Sequence, residues 1–197
     1  MRAEPTNQGL AWGALAEHIR VMNPRRDECF PPVAKTDAEV LILGSLPGQR
    51  SMQMQQYYAH PQNAFWKLIA RIYDAESSLP YRRRVEILTT NRIALWDVLA
   101  AAERPGSLDS SIVHASARAN DFAAFYRTHP LISRVYFNGR KAEELYGRFV
   151  LPGLSGPLSA DFAAIRYVSM PSTSPAHAGM TFAKKLARWK KIREKAA

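Results

Sequence analysis

Apolar positions along this chain fall into two alternating rhythms. Short, nearly continuous runs at Glu39–Leu43, Ile93–Leu99, Arg134–Phe137 and Ile165–Met170 read as strands. Strands of a parallel sheet are buried on both faces and lose the in–out alternation of a half-exposed strand. Between the runs the spacing turns helical. Leu10, Ala14, Leu15, Ile19 and Met22 share one face over residues 10–22, and Phe65, Trp66, Ile69 and Ile72 do so after a candidate cap at Asn63. Further helices are predicted over Tyr81–Asn91, from Asn120 through Tyr126, over 140–149 and over 180–195. Asn23–Lys35 is irregular, Gly106–Ser111 is a loop, and Leu151–Ala160 is a loop rich in Gly, Pro and Ser. Strands alternating with helices predict a parallel sheet covered on both faces, with ligands outside the C-terminal strand ends. Those ends carry Gly44-Ser-Leu-Pro-Gly48, Asp97, Asn138-Gly139 and Pro171-Ser-Thr-Ser-Pro175. They should converge on one cleft.

Composition narrows the classes. The chain has 197 residues, 47% of them apolar, enough for a compact core and too apolar for general disorder. One domain is expected: an N-terminal helix and irregular segment over 1–38, then an α/β core over 39–197. Lys and Arg number 27 against 17 Asp and Glu, a net charge of +10. That balance favours a polyanionic partner, nucleic acid before membrane, although many basic proteins bind no anion. Cys29 is the single cysteine, so an internal disulfide and a multi-thiolate metal site are excluded. The expected compartment is a reducing cytoplasm. No run approaches the roughly 20 apolar residues of a membrane helix, and the first residues lack an apolar signal core. A monomer is expected. There is no P-loop, acidic metal cluster or His pair at ligand spacing, which argues against a nucleotide hydrolase.

Seven segments, in order, carry a family resemblance. They are Phe30-Pro-Pro-Val33, Gly44-Ser-Leu-Pro-Gly48, Gln56-Tyr-Tyr-Ala-His-Pro-Gln-Asn-Ala-Phe-Trp66, Ala94-Leu-Trp-Asp-Val98, Gly106-Ser-Leu-Asp-Ser-Ser-Ile112, Phe137-Asn-Gly139 and Pro171-Ser-Thr-Ser-Pro-Ala176. Together they resemble the uracil-DNA glycosylase superfamily, and within it the hypoxanthine-DNA glycosylase (DNA-deoxyinosine glycosylase) family. The resemblance spans nearly the whole domain, and the Tyr-Tyr-Ala-His-Pro-x-Asn-x-Phe-Trp string is its most specific part. It implies a three-layer α/β/α sandwich around a four-stranded parallel sheet. It also implies hydrolysis of the N-glycosidic bond of a flipped deaminated base, hypoxanthine first and uracil next, without metal or organic cofactor. Two departures stand out. Leu46 occupies the place where some relatives carry a water-orienting Asn, and Met170 the place of a His that other relatives use on the leaving base. These motivate a rival reading, a nucleic-acid-binding protein on the same fold that has lost hydrolysis.

Residue chemistry supplies candidate roles. The resemblance assigns the catalytic amide to Asn63, whose carbonyl would orient water toward a nearly cationic sugar; the same residue would also cap the helix that follows. Tyr58 is the candidate stacking platform for the base, and one of Tyr57 and Tyr58 is expected in the core. Gly44, Ser45 and Leu46 would shape the base pocket, with backbone amides open to a close approach. Asp97 would accept a base N–H, while Asn138 or a backbone N–H serves the neighbouring exocyclic oxygen. An Asp capping a turn would look the same in sequence. His60, Ser172, Thr173, Ser174 and His177 are candidate DNA contacts, and Lys184 and Lys185 on the last helix candidate phosphate contacts. That helix should bury a stripe of Phe182, Leu186 and Trp189. Lys67 follows an aromatic helix start with nothing to lower its pKa, so no lyase activity is expected.

Overall fold

The computed structural model describes residues 26–106, 108–154 and 164–194. Its strands are β1 (Arg26–Glu28), β2 (Val40–Gly44), β3 (Ile93–Asp97), β4 (Leu99–Glu103), β5 (Arg118–Ala119), β6 (Arg134–Asn138) and β7 (Arg166–Met170). Its helices are α1 (Gln49–Met54), α2 (Phe65–Ile72), α3 (Tyr81–Thr90), α4 (Phe122–Thr128), α5 (Arg140–Phe149) and α6 (Phe182–Trp189). The expected helix over 10–22 lies outside the described residues, as does most of the Leu151–Ala160 loop.

Four strands form one parallel sheet in the order β3-β2-β6-β7. All five residues of β2 are buried, and Leu41, Ile42 and Leu43 have no exposed surface. Each such leucine contributes roughly 2 kcal/mol by leaving water. Helices cover this sheet in the expected three-layer α/β/α arrangement. The chain runs from β2 to β3 on one side and later crosses to β6 on the other. The reversal opens a crevice between the C-terminal ends of β2 and β6, where open α/β sheets take their ligands. At the end of β6, Gly139 adopts φ +99° and donates its N–H to the Met170 carbonyl at 3.0 Å. A Cβ on Gly139 would lie 2.9 Å from the Ser172 Cβ, so glycine lets the β6 and β7 ends close on each other.

Three features depart from expectation. The second strand stops at Asp97, because the next residues leave the sheet. The Val98 and Leu99 N–H groups donate to the Gly44 and Ser45 carbonyls, and Leu99 enters a different sheet. That sheet, β1-β4-β5, is antiparallel. Its strands of three, five and two residues carried no readable pattern, and β1 falls in the stretch read as irregular. The last helix buries less than its stripe promised. Trp189 is fully buried and donates Nε1–H to the Pro171 carbonyl, whereas Phe182 is 40% exposed. Among the described residues, no helix is long and apolar enough to cross a membrane.

Candidate active site

The four strand ends meet at one cavity of about 480 Å³. Its floor is built by β2 and β3. Gly44 pairs with Asp97 across those strands, and a Cβ on Gly44 would lie 2.2 Å from Asp97 Oδ1 and 2.9 Å from the Tyr58 hydroxyl. Only glycine admits both groups. Asp97 is 3% exposed. Its backbone carbonyl accepts from Asn120 Nδ2 at 2.8 Å, while among the described residues its carboxyl accepts only from the Cys29 thiol, 3.9 Å from Oδ2. Burial, and next the Asp109 charge, push the Asp97 carboxyl up to about 7, against an opposing pull from Arg104.

One wall comes from the segment between α1 and α2. Tyr57 is a core residue: its hydroxyl donates toward the Phe30 and Pro31 carbonyls, and its own carbonyl accepts the Trp66 indole N–H at 2.7 Å. Tyr58 sits at φ +54°, a conformation that costs a bulky residue energy. That turn sends the two tyrosines different ways. One face of the Tyr58 ring rests on Phe65, centroids 4.1 Å apart, and its hydroxyl, beside Gly44, is buried without a hydrogen-bond partner among the described residues. Asn63 lines the cavity, and its Oδ1 accepts the Phe65 N–H at 3.0 Å, which starts α2. The N-cap itself is Ala64, not the expected Asn63; the Asn63 bond lies one residue earlier, fixes the amide and leaves Oδ1 a second lone pair.

The opposite wall is the segment after β7. Asn138 donates Nδ2–H to Thr173 Oγ1 and accepts the Thr173 N–H at Oδ1, both at 2.9 Å. Thr173 also accepts the Ala64 N–H at its carbonyl, and it is 1% exposed. It therefore clasps β6, β7 and the Asn63 loop together. Ser172 and Ser174 line the cavity and each caps a backbone N–H two residues on. His60 and His177 are exposed at the cavity edge.

Both lysines expected to contact phosphate lie outside the cavity lining. Lys184 is exposed on α6. Lys185 is 6% exposed and donates Nζ–H to the His177 carbonyl at 2.9 Å. The ammonium thereby holds the loop that carries His177. Lys67 is exposed on α2 and does not line the cavity.

Among the cavity residues that sequence reasoning passed over are Arg104 and Asp109. Arg104, just past β4, has a side chain without exposed surface. It donates Nε–H and Nη2–H to Asp27 Oδ2 at 3.0 and 2.7 Å, and it also reaches the Leu46 and Pro47 carbonyls. Asp109 accepts from the Ser45 hydroxyl at 2.7 Å and lies 3.5 Å from Arg104 Nη1. Together they pin the turn after β2. The segment Gly106–Ile112 was a signal for Asp109, but Arg104 sits in an unremarkable stretch. Among the described residues no group of His, Cys, Asp and Glu is arranged to hold a metal ion.

Comparison with known proteins points one way. The family model of the uracil DNA glycosylase superfamily matches residues 31–195. A hypoxanthine DNA glycosylase of Methanosarcina barkeri is 42% identical over 116 residues, covering 58% of this chain and 72% of that protein. A hypoxanthine DNA glycosylase of Methanosarcina acetivorans is 40% identical over 136 residues, covering 64% and 85%. A solution NMR structure from Methanosarcina acetivorans, provisionally described as a uracil DNA glycosylase, aligns with a TM-score of 0.70 at 33% identity, over 86% of this chain and 97% of that one.

Proposed function

The chain belongs to the uracil DNA glycosylase superfamily, and within it we propose a monofunctional glycosylase that removes hypoxanthine first, and uracil next, from DNA. One observation carries the proposal. Asn63, the Tyr58 ring, Gly44 and Asp97 line a single cavity at the crevice between the β2 and β6 ends. Its volume, about 480 Å³, lies within the roughly 300–1,000 Å³ of ligand pockets and accommodates a flipped nucleoside.

Each wall then has a task. The Tyr58 ring, backed by Phe65, stacks on the base, a contact worth about 1–3 kcal/mol. Asp97 reads the base edge. Asn63 Oδ1 holds a water against C1′ with its remaining lone pair. A neutral amide is too weak a base to take the proton early, so water attacks once the C1′–N bond is largely broken and the sugar cationic. The bond electrons move into the base, water oxygen bonds to C1′, the proton that this water gives up balances the one the departing base anion takes from solvent, and an abasic site remains. The exposed position of Lys67 supports hydrolysis without an imine step. DNA bearing a deaminated base is the partner, and the +10 net charge supports it. On this reading the protein acts as a cytoplasmic monomer.

The test is base release from oligonucleotides carrying one hypoxanthine or one uracil, single-stranded and opposite each normal base. Wild type should release hypoxanthine. Asn63→Ala should lower release by about a hundredfold or more while DNA binding persists. Asn63→Ser, which keeps an oxygen for the Phe65 N–H, should be equally slow, and this separates catalysis from capping. Tight DNA binding without release of either base would instead establish a binding-only protein.

A further inference from the structure

Asp97 lies at the cavity floor, and among the described residues no basic side chain forms an ion pair with it. Cys29 faces it from the segment after β1, Tyr57 and Tyr58 from the loop before α2, and Arg104 and Asp109 from the loop after β4. None supplies the charge that would hold a buried carboxylate. The Arg104 guanidinium is spent on Asp27 and on the Leu46 and Pro47 carbonyls. The Cys29 thiol, pushed up to about 12 by burial and then by Asp97, stays neutral, and at 3.9 Å it is a poor donor. Both tyrosine hydroxyls are pushed up as well, by burial first and Asp97 next, and stay neutral. Asp109 adds a like charge, and Asp97 is pushed up to about 7. An isolated carboxylate out of water is expensive, and protonation is the usual escape.

The base edge raises the same need. Hypoxanthine and uracil both present a ring N–H beside an exocyclic oxygen, the lactam edge. An ionised Asp97 would accept the N–H and repel the oxygen. Asn138, the expected donor to that oxygen, already gives one Nδ2–H to Thr173 and accepts at Oδ1 from the Thr173 N–H, so a single N–H of its amide is left. The Tyr58 hydroxyl belongs to the ring that stacks on the base, and a stacked ring holds its hydroxyl out of the base plane.

Resting on the glycosylase reading above, we propose that Asp97 acts as a neutral carboxylic acid. Its carbonyl oxygen accepts the ring N–H, and its hydroxyl donates to the exocyclic oxygen. The pair closes the two-point ring that a side-chain amide would form with a lactam. As the C1′–N bond breaks and its electrons enter the base, the exocyclic oxygen gains negative charge, and the Asp97 hydrogen bond strengthens with it. The proton stays on Asp97 throughout. Base recognition and leaving-group stabilisation thus fall to one carboxyl, at a fold whose last sheet strand ends in the buried, apolar Met170.

Infrared difference spectra between wild type and Asp97→Asn read the carboxyl directly in the DNA-free protein. A protonated carboxyl C=O band should be present at about pH 6 and lost by about pH 9. In single-turnover release from hypoxanthine-containing DNA, wild type should fall about tenfold per pH unit above its carboxyl pKa. Asp97→Asn always offers a donor beside an acceptor. It should be slower than wild type at about pH 6, lack the alkaline fall, and overtake wild type by about pH 9. Asp97→Ala should lose about a hundredfold or more at every pH. A carboxylate already ionised at about pH 6, or an Asp97→Asn enzyme as slow as Asp97→Ala, overturns the proposal. A wild type that releases no lactam base sinks the glycosylase reading, and the infrared band still decides the state of Asp97.

Discussion

Replacing Arg104 tests whether the turn after β2 is held by one buried guanidinium. The Arg104 side chain has no exposed surface and Asp27 is 3% exposed. Two N–H groups of Arg104 meet a single oxygen of Asp27, and the Leu46 and Pro47 carbonyls are further acceptors. Arg104→Met keeps the aliphatic volume and deprives Asp27 of the guanidinium. Breaking a buried ion pair from one side costs about 3–5 kcal/mol, a large share of the roughly 5–15 kcal/mol that holds a domain. Arg104→Met with Asp27→Leu removes both charges and should return to within about 2 kcal/mol of wild type, because apolar replacements of a buried pair are near neutral. Urea titrations give these differences. Activity should behave otherwise. The pairing of Arg104 with the Leu46 and Pro47 carbonyls is lost in both variants, so both should release base about tenfold or more slowly. A cost below about 1 kcal/mol for Arg104→Met would refute the energetic argument. A double variant restored in both stability and release would refute the positional one.

Two further outcomes follow from buried charge. Burial, and next the Asp109 charge, push the Asp97 carboxyl in the folded chain from its ordinary 3.8 up to about 7. The unfolded chain therefore loses its proton first as pH rises, and folding stability falls between about pH 4 and pH 7, by up to about 4 kcal/mol. Asp97→Asn should remove that fall; equal pH dependence in the two proteins, read by urea titration at about pH 5 and pH 8, would contradict it. On α6 the two neighbouring lysines should separate. Lys184→Gln should lower the salt slope of DNA binding by about one while leaving stability alone. Lys185→Gln should weaken the fold around His177 and leave the slope unchanged; the reverse pattern would return Lys185 to the phosphates.

The parallel sheet was legible because its strands are nearly continuous apolar runs ending in turn residues, and β2, β3, β6 and β7 sit within two residues of where those runs placed them. The small antiparallel sheet was not, since Leu99-Ala-Ala-Ala-Glu103 has no alternation and its partners are shorter still. The cavity lining followed from the strand ends, which is why Gly44, Asp97, Asn138 and Ser172 appear together in it. What local pattern could not reveal is which polar groups are already engaged. Lys185 is spent on the His177 carbonyl and Thr173 on Asn138, through contacts 8 and 35 residues apart in sequence.

That distinction orders the site. Groups around the cavity divide into those bound by the protein and those left open. Asn138, Thr173, Arg104 and Ser45 are hydrogen-bonded from within and serve to hold three loops in register. Among the described residues the Tyr58 hydroxyl is buried without a partner, and the Asp97 carboxyl beside it above Gly44 has only the long contact from the Cys29 thiol. Leaving a buried polar group unsatisfied costs about 1–3 kcal/mol, so a fold optimised for stability alone would pair or replace it. Two such groups at one floor, beneath a cavity with room for a nucleoside, are intelligible as capacity held for a ligand that itself carries a donor beside an acceptor. A lactam edge meets that description with a single carboxyl proton: its ring N–H donates to the carboxyl C=O and its exocyclic oxygen accepts from the carboxyl O–H. Release of a lactam base on this fold would then depend on the pH at which Asp97 gives up its proton.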